Sequence, residues 1–323
     1  MYAILVHTLD GTRSFEVREV PTPLPRSDQL LVHVKATSIN FADLSYGIGR
    51  KPKGDEPFIP GLDVAGVVES VGSEVVSWIE GDPVVALASR AAYAEFVLVR
   101  PSLAIPPPRN LRMSELASIP CVFLTAWYAL SQYAKLLKDE TVLIHSGGSG
   151  VGVAGIQVAK ALGARVITTA GSDWKLEKAK ALGAEVGINY SSQDLTVELQ
   201  SLVGNHGIDV VLDPVGGRIF DDTLPVLACG GRVITVGGNA GDRRGIDEAS
   251  IAAKDQSIQQ IGMFNDAAAD IEQHGWTQLK EWFENGTLRP VVDRILPWRQ
   301  AEDAQRLLAE RKVFGKVVLD LEA

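Results

Sequence analysis

Residues 141–152, Thr-Val-Leu-Ile-His-Ser-Gly-Gly-Ser-Gly-Val-Gly, have the types and order needed to hold a pyrophosphate. An apolar strand runs into a glycine-rich turn. A helix pattern follows, with Val153, Ile156, Val158, Ala159 and Leu162 at helical spacing and Lys160 on the solvated side. Glycines let the backbone approach phosphates, and the N–H groups at a helix start point at negative charge. Gly147 and Gly152 fit the first and third places of Gly-x-Gly-x-x-Gly, while Ser149 takes the second. Gly163 ends the helix pattern and residues 164–169 read as the next strand, completing one βαβ unit. The turn alone also fits an ordinary tight strand–helix connection. The strand before it and the helix and strand after it favour a dinucleotide enzyme, with Gly148, Ser149, Gly150, Val151 and Gly152 at the cofactor.

The remaining reactive types are sparse. His7, His33, His145, His206 and His274 show no short ligand spacing and read as ordinary surface or strand-end residues. Cys121 and Cys229 are far apart in apolar or glycine-rich settings. They read as two buried free thiols of a reducing compartment rather than a disulfide, which implies a cytoplasmic location.

The elements that must position the turn follow from hydrophobic period. Up to about residue 110 the chain alternates in short strands. In residues 29–36, His33 and Lys35 fall on the face opposite Val32 and Val34. Short strands without regular helices between them predict a compact barrel. Pro106-Pro-Pro108 marks a boundary, and Ser114 is the expected N-cap of a helix with Glu115 in its first turn. A helical pattern runs from Thr125 to Leu136. Beyond it, strands at 141–145, 165–169, 186–189, 209–212 and 232–236 alternate with helices at 153–162, 174–182, 194–203 and 217–228. That alternation predicts a parallel, doubly wound sheet, with a further strand at 257–263. Helices at 276–285 and 301–311 lead to a closing strand at 316–321. A lone strand is not stable, so it should rejoin the N-terminal β region.

Composition sets the outer bounds. At 323 residues two domains are expected, and 46% hydrophobic residues suffice for a sizeable core. The net charge of −9 argues against general nucleic-acid binding, which needs a Lys/Arg surplus. No apolar run approaches ~20 residues, so no membrane span is expected. The N-terminal residues read as a strand, without the basic start and cleavage site of a signal peptide.

Asn40-Phe-Ala-Asp43, Pro60-Gly-Leu-Asp-Val-Ala-Gly-Val-Val68, Gly81-Asp82, Ala92-Tyr-Ala-Glu-Phe96, Leu124-Thr-Ala126, the 145–152 turn, Ile188-Asn-Tyr190, Asp209-Val-Val-Leu-Asp213 and Gly315-Lys-Val-Val-Leu319 occur in this order along nearly the whole chain. In this order and spacing the chain resembles the zinc-free medium-chain dehydrogenases/reductases of the quinone oxidoreductase, zeta-crystallin-like type. The resemblance implies a GroES-like β-barrel catalytic domain, discontinuous over 1–117 and 268–323, around a Rossmann cofactor domain over 118–267, with the active site between them. Zinc-dependent relatives carry Cys at the place of Asn40 and His-Glu at the place of Leu62-Asp63. Catalytic zinc needs three protein ligands, and Leu62 cannot be one. Two cysteines cannot form a four-cysteine structural lobe.

The resemblance also bears on the cofactor. An NAD site places Asp or Glu at the end of the second strand to bind the ribose 2′-OH. Here that place is Ala170-Gly171-Ser172. In the resembled reductases a Lys and the Tyr of Ile-Asn-Tyr hold a 2′-phosphate, which carries over to Lys175 and Tyr190, with Ser172 as a further donor. The expected cofactor is therefore NADPH; a merely solvated Lys175 is the other reading, and Asp173 would repel the phosphate if it pointed inward. By resemblance Gly237, Gly238, Asn239, Met263, Phe264 and Thr125 line the nicotinamide end. Lys316 either caps the cleft near the cofactor or serves a strand-surface role. Asn40 either gives a hydrogen bond to substrate or stabilises a turn, and Tyr46 either donates a proton or packs. The implied reaction is hydride transfer to a quinone or similar acceptor. An enone or enoyl-thioester double-bond reductase is the alternative, and a cofactor-binding protein with little turnover the reading from another class. Relatives usually form homodimers through the sheet edge of the cofactor domain, where residues 257–263 would serve.

Overall fold

The computed structural model describes residues 1–9, 12–45, 57–237, 248–262 and 269–323. Tyr46, Gly238, Asn239, Met263 and Phe264 lie outside them. The chain divides into one compact unit of Met1–Leu124 with Asp266–Ala323 and a second of Thr125–Asn265.

The first unit begins with a hairpin, β1 (Tyr2–Leu9) and β2 (Thr12–Glu19). Then come β3 (Leu30–Ser38), the short helix α1 (Phe41–Ser45), β4 (Asp63–Val71), β5 (Pro83–Leu87), β6 (Phe96–Val99) and β7 (Ala104–Ile105). β3 is the hub, pairing antiparallel with β4 and β6. Its alternation follows its burial: Val32 and Val34 are in the core, while His33 and Lys35 are half-buried. Helix α2 (Met113–Leu116) starts earlier than its sequence suggests. Arg112, not Ser114, is the N-cap, because the Glu115 carboxylate accepts the Arg112 N–H at 2.9 Å and so fixes the start one residue before Met113. Helix α3 (Pro120–Trp127) and a π-helical stretch, Tyr128–Tyr133, cover the expected helical run after Thr125.

The second unit is a parallel sheet. It contains β8 (Thr141–Ile144), α4 (Gly150–Ala161), β9 (Arg165–Ala170), α5 (Asp173–Lys180), β10 (Val186–Asn189), α6 (Leu195–Val203), β11 (Ile208–Asp213), α7 (Arg218–Thr223), β12 (Leu227–Val236), α8 (Glu248–Ala253) and β13 (Ser257–Ile261). The strand order is β10-β9-β8-β11-β12-β13, a doubly wound arrangement whose ligand site lies beyond the carboxyl ends of the strands, where the order reverses at β8. Leu143, Ile167, Ile188, Leu199, Val211 and Val233 form the core against α6 and α7. Two helix boundaries in this unit differ from the sequence expectation by three residues or more. α4 begins at Gly150, because Ser149 caps it. The helix expected over 217–228 ends at Thr223. Pro225 has no N–H to continue it, and Leu227 must straighten to pair with Ile208. Cys229 is exposed and Cys121 half-buried, which corrects the expectation of two buried thiols. Cys229 sits before the bend at Gly230 (φ +72°), where β12 emerges from the sheet end.

The chain returns to the first unit through α9 (Ala269–Glu284), β14 (Val292–Pro297), α10 (Ala301–Ala309) and β15 (Lys316–Asp320). β15 pairs antiparallel with β3, so the closing strand does rejoin the N-terminal sheet. Ile4, Ile39, Tyr93, Trp298, Val317 and Leu319 close the core beneath it. Gly61 has φ +100°, and a Cβ there would lie 2.4 Å from the Tyr93 ring, so only glycine lets β4 start under that side chain. Among the described residues no helix is long and apolar enough to cross a membrane.

Candidate active site

The glycine turn stands at the end of β8, and its closeness is measurable. A Cβ on Gly152 would lie 2.1 Å from the Ser146 carbonyl oxygen, so no side chain fits there. Ser149 has extended backbone, and its hydroxyl oxygen accepts the Gly152 N–H at 3.0 Å, capping α4. Gly150 and Val151, the first two residues of α4, have no intrahelical acceptor for their N–H groups. Those two donors, at the positive end of a twelve-residue helix, suit a pyrophosphate.

Beneath the turn, His145 is fully buried. Its Nδ1 lies 3.0 Å from Thr169 Oγ1 and its Nε2 3.0 Å from Thr223 Oγ1. The Thr223 hydroxyl donates to the Ile219 carbonyl at 2.8 Å, so its oxygen must accept from Nε2–H. Nδ1 then accepts the Thr169 hydroxyl, and the ring is neutral. Burial pushes its pKa down, with the nearby Asp213 charge acting the other way. His145 thus ties β8 to β9 and α7 without bringing a charge under the turn. The Asp213 Oδ1 atom accepts the Val215 and Gly216 N–H groups, making the turn after β11 a structural one, while its buried Oδ2 has no partner.

At the end of β9 the residues expected around a 2′-phosphate come together. The Lys175 stem crosses the turn: a Cβ on Gly148 would lie 2.7 Å from its Cδ. The Tyr190 hydroxyl would lie 3.0 Å from a Cβ on Gly171. Ser172 precedes α5, and its hydroxyl does not cap that helix. Asp173, which would repel a phosphate, instead accepts a 2.7 Å hydrogen bond from Asn189 Nδ2. Ala170, where an NAD site would place its acid, is buried in the strand end. The donor set fits a nicotinamide dinucleotide carrying a 2′-phosphate. Thr125 is buried in α3, and Gly237 ends β12 with φ +73°, its carbonyl accepting from Gln260 Nε2.

A second polar cluster lies within the first unit, buried under β3, β4 and β15. Asp63 Oδ2 accepts from Ser38 Oγ at 2.6 Å, Asn40 Nδ2 at 2.8 Å and Lys316 Nζ at 3.1 Å; its Oδ1 accepts the Cys121 N–H at 2.6 Å. Lys316 also donates to the Ile39 carbonyl at 2.8 Å and to Asn40 Oδ1 at 2.5 Å. The three protons of the ammonium are thereby used and the side chain is buried, so Lys316 is an internal counter-ion and not a strand-surface residue. Asn40 is likewise engaged through both ends of its amide, with Nδ2 on Asp63 and Oδ1 accepting from Lys316. At the places of the Cys and His-Glu of zinc-dependent relatives stand this amide, the core residue Leu62 and the ammonium-paired Asp63. Among the described residues no group of three or more His, Cys, Asp or Glu could hold a metal ion.

Behind Asn40 lies Asp43, which sequence reasoning left without a role although it stands in the Asn40–Asp43 motif. Its carboxylate accepts from the Asn40 N–H at 2.8 Å, the Gly61 N–H at 3.2 Å and the Tyr93 hydroxyl at 3.0 Å. Burial dominates over these bonds and pushes its pKa up to about 6.

Comparison with known proteins agrees with this architecture. Residues 26–109 match the alcohol dehydrogenase GroES-like domain family and residues 150–284 the family described as zinc-binding dehydrogenase. The zinc-ligand positions discussed above, 40, 62 and 63, fall outside the second match. The quinone oxidoreductase of Sus scrofa is 31% identical, over 99% of this chain and 97% of that protein. Among solved structures, a mycobacterial protein complexed with NADPH is 30% identical with a TM-score of 0.90, covering 99% of this chain and 100% of that one. An NAD-dependent alcohol dehydrogenase is 33% identical with a TM-score of 0.88 over the same shares.

Two outcomes follow from the buried cluster. Lys316→Met leaves Asp63 uncompensated and should destabilise the protein by about 3–5 kcal/mol in denaturant unfolding, with much of that recovered when Asp63→Asn is added. Unchanged stability in the single variant would contradict the counter-ion role. The Asp43 carboxyl should titrate near pH 6 in infrared difference spectra. Tyr93→Phe should raise that midpoint, since the lost hydrogen bond favours the charged form. Because the folded pKa lies above the unfolded one, Asp43 lends stability at acid pH that is lost as pH rises from about 3.9 through about 6.

Proposed function

The chain belongs to the zinc-independent, zeta-crystallin-like quinone oxidoreductases of the medium-chain dehydrogenase/reductase family, and we propose from that premise that it reduces quinones or similarly electron-poor acceptors with NADPH, without a metal ion. The observation that carries the cofactor choice is the end of β9, where the Lys175 stem lies against Gly148 of the glycine turn, the Tyr190 hydroxyl lies against Gly171, and no acid stands at Ala170. A cation and hydroxyls favour a phosphate over a neutral ribose, and they favour it here although one similar structure is of an NAD-dependent enzyme.

Within this reading Gly148–Gly152 hold the pyrophosphate through the α4 N–H groups and the Ser149 cap. Lys175, Tyr190 and Ser172 hold the 2′-phosphate. Thr125, Gly237, Gly238, Asn239, Met263 and Phe264 line the nicotinamide. When bound, the reduced nicotinamide supplies the hydride. Neutral His145 keeps the turn in place. Asn40, fixed by Lys316 and Asp63, shapes the substrate wall, and Tyr46 is the candidate proton donor; a reduced quinone oxygen can also take its proton from solvent. We assign the chemistry to residues 1–117 and 268–323 and cofactor binding to residues 118–267. A homodimer through the β13 edge and a cytoplasmic location complete the proposal. The free thiols at Cys121 and Cys229 suit a reducing compartment.

Anaerobic oxidation of NADPH and of NADH, followed by the loss of reduced-nicotinamide absorbance with p-benzoquinone and an aliphatic enone side by side, tests this directly. NADPH with the quinone should be the fastest pair. Faster turnover of the enone would move the protein to the double-bond reductases. Preference for NADH would contradict the phosphate site, and no turnover with either acceptor would leave a binding protein.

A further inference from the structure

Trp174 opens the helix that carries Lys175, and nothing in the glycine-turn motif requires an aromatic residue there. It is 44% exposed, unusual for a Trp with no core to fill. Two ammonium groups lie over its ring. Lys175 Nζ is 5.3 Å and Lys178 Nζ 5.1 Å from the ring centroid. Lys178 is four residues on and shares a helix face with Trp174, so that contact is the expected one. Lys175 is the next residue and would normally diverge by about a quarter turn, yet its stem crosses Gly148 and its ammonium still reaches the indole. Both ammonium groups thus lie at nearly the same distance from one ring, at the strand end where Ala170 stands in the place of an NAD-site acid.

We propose that Trp174 is a specificity-determining residue: its indole gathers the ammonium groups of Lys175 and Lys178 into a two-cation cradle that favours the 2′-phosphate of NADPH over the bare ribose of NADH. This rests on the assignment of Lys175 to the 2′-phosphate. Ordering a free lysine on binding costs side-chain entropy, since the chain has about 2 kcal/mol of rotamer freedom to lose. A lysine already held over an aromatic face has lost part of that freedom before the cofactor arrives. Two like charges sharing one ring are also relieved of their repulsion when a dianion binds between or beside them. The neutral ribose gains from neither effect. Asp173, the acid beside this cradle, accepts a 2.7 Å hydrogen bond from Asn189 Nδ2, which fixes where its charge lies.

The test is calorimetric binding of NADP⁺ and NAD⁺ to Trp174→Leu, Trp174→Phe, Lys178→Met and Lys175→Ala, each compared with the wild type by the ratio of the two dissociation constants. Trp174→Leu should reduce the preference for NADP⁺ by roughly two- to tenfold, with NAD⁺ binding little changed. Lys178→Met should reduce it in the same direction, and Trp174→Phe, which keeps a ring face, should retain most of it. A full preference in Trp174→Leu alongside a lost one in Lys175→Ala would overturn the role of Trp174 while leaving the phosphate assignment standing. Equal losses in Trp174→Leu and Trp174→Phe would overturn the ring-face account. An unchanged preference in Lys175→Ala would remove the assignment itself and the cradle with it. Trp174 stands half-exposed at a helix start, so all of the variants at this position should unfold at the wild-type temperature, which a thermal scan checks.

Discussion

A helix start carries N–H groups that nothing inside the helix can accept, and the second unit is built around leaving two of them for an anion. The constraint is geometric: phosphate oxygens approach such groups only if the connection from the preceding strand carries no side chain in the way. Gly152 meets it by standing where a Cβ would collide with the Ser146 carbonyl. Ser149 meets it by satisfying the third N–H of α4 and leaving the first two. The parallel sheet follows from the same requirement, because β8 must deliver the chain to the turn at the point where strand order reverses. His145, held by two threonine hydroxyls, supports the turn from below in its neutral form and so adds no charge of its own there.

The first unit resolves a different electrostatic problem. A carboxylate at Asp63 in a fully buried position needs compensation, and in this chain it comes from Lys316 and three neutral donors. The residues that surround it are therefore occupied with one another. Asn40 is clamped at both ends, and Asp43 behind it is held by Tyr93 and two backbone N–H groups, which only partly offset the rise in pKa that its burial causes. Such a network spends its polar groups on one another and, among the described residues, presents no ligand set for the Lewis acid that alcohol oxidation would need. An acceptor such as a quinone, which asks little of the protein beyond orientation, is matched to it.

Much of this was legible in the sequence. Period and punctuation located the βαβ unit, the strand–helix alternation of the doubly wound second unit, and the return of the closing strand to the N-terminal β region. What misled was local competition. A serine with a glutamate beside it suggested an N-cap at Ser114, but the same glutamate reaches the Arg112 N–H and starts the helix earlier. An apolar run suggested a helix through residue 228, but Pro225 and the pairing of Leu227 with Ile208 ended it. The glycine-rich surroundings of Cys229 suggested burial, where the glycine bend in fact exposes it. The Lys316 network was hidden for a deeper reason. Its partners at Asn40 and Asp63 lie 276 and 253 residues away, and only the antiparallel pairing of β15 with β3 brings them into contact. Likewise Trp174 has no signature until its two lysines are seen over one ring.

The account turns on the charge that meets the cofactor at the end of β9. Phosphorus NMR of bound NADP⁺, titrated over pH, reports it most directly. The free 2′-phosphate gives up its second proton, becoming a dianion, near pH 6. Bound beside Lys175 it should stay dianionic to a distinctly lower pH, because a neighbouring cation favours the charged form, and Lys175→Ala should return the midpoint toward the free value. A bound 2′-phosphate that titrates as it does in free NADP⁺ would show that no cation meets it, and would contradict the phosphate site on which the choice of NADPH rests.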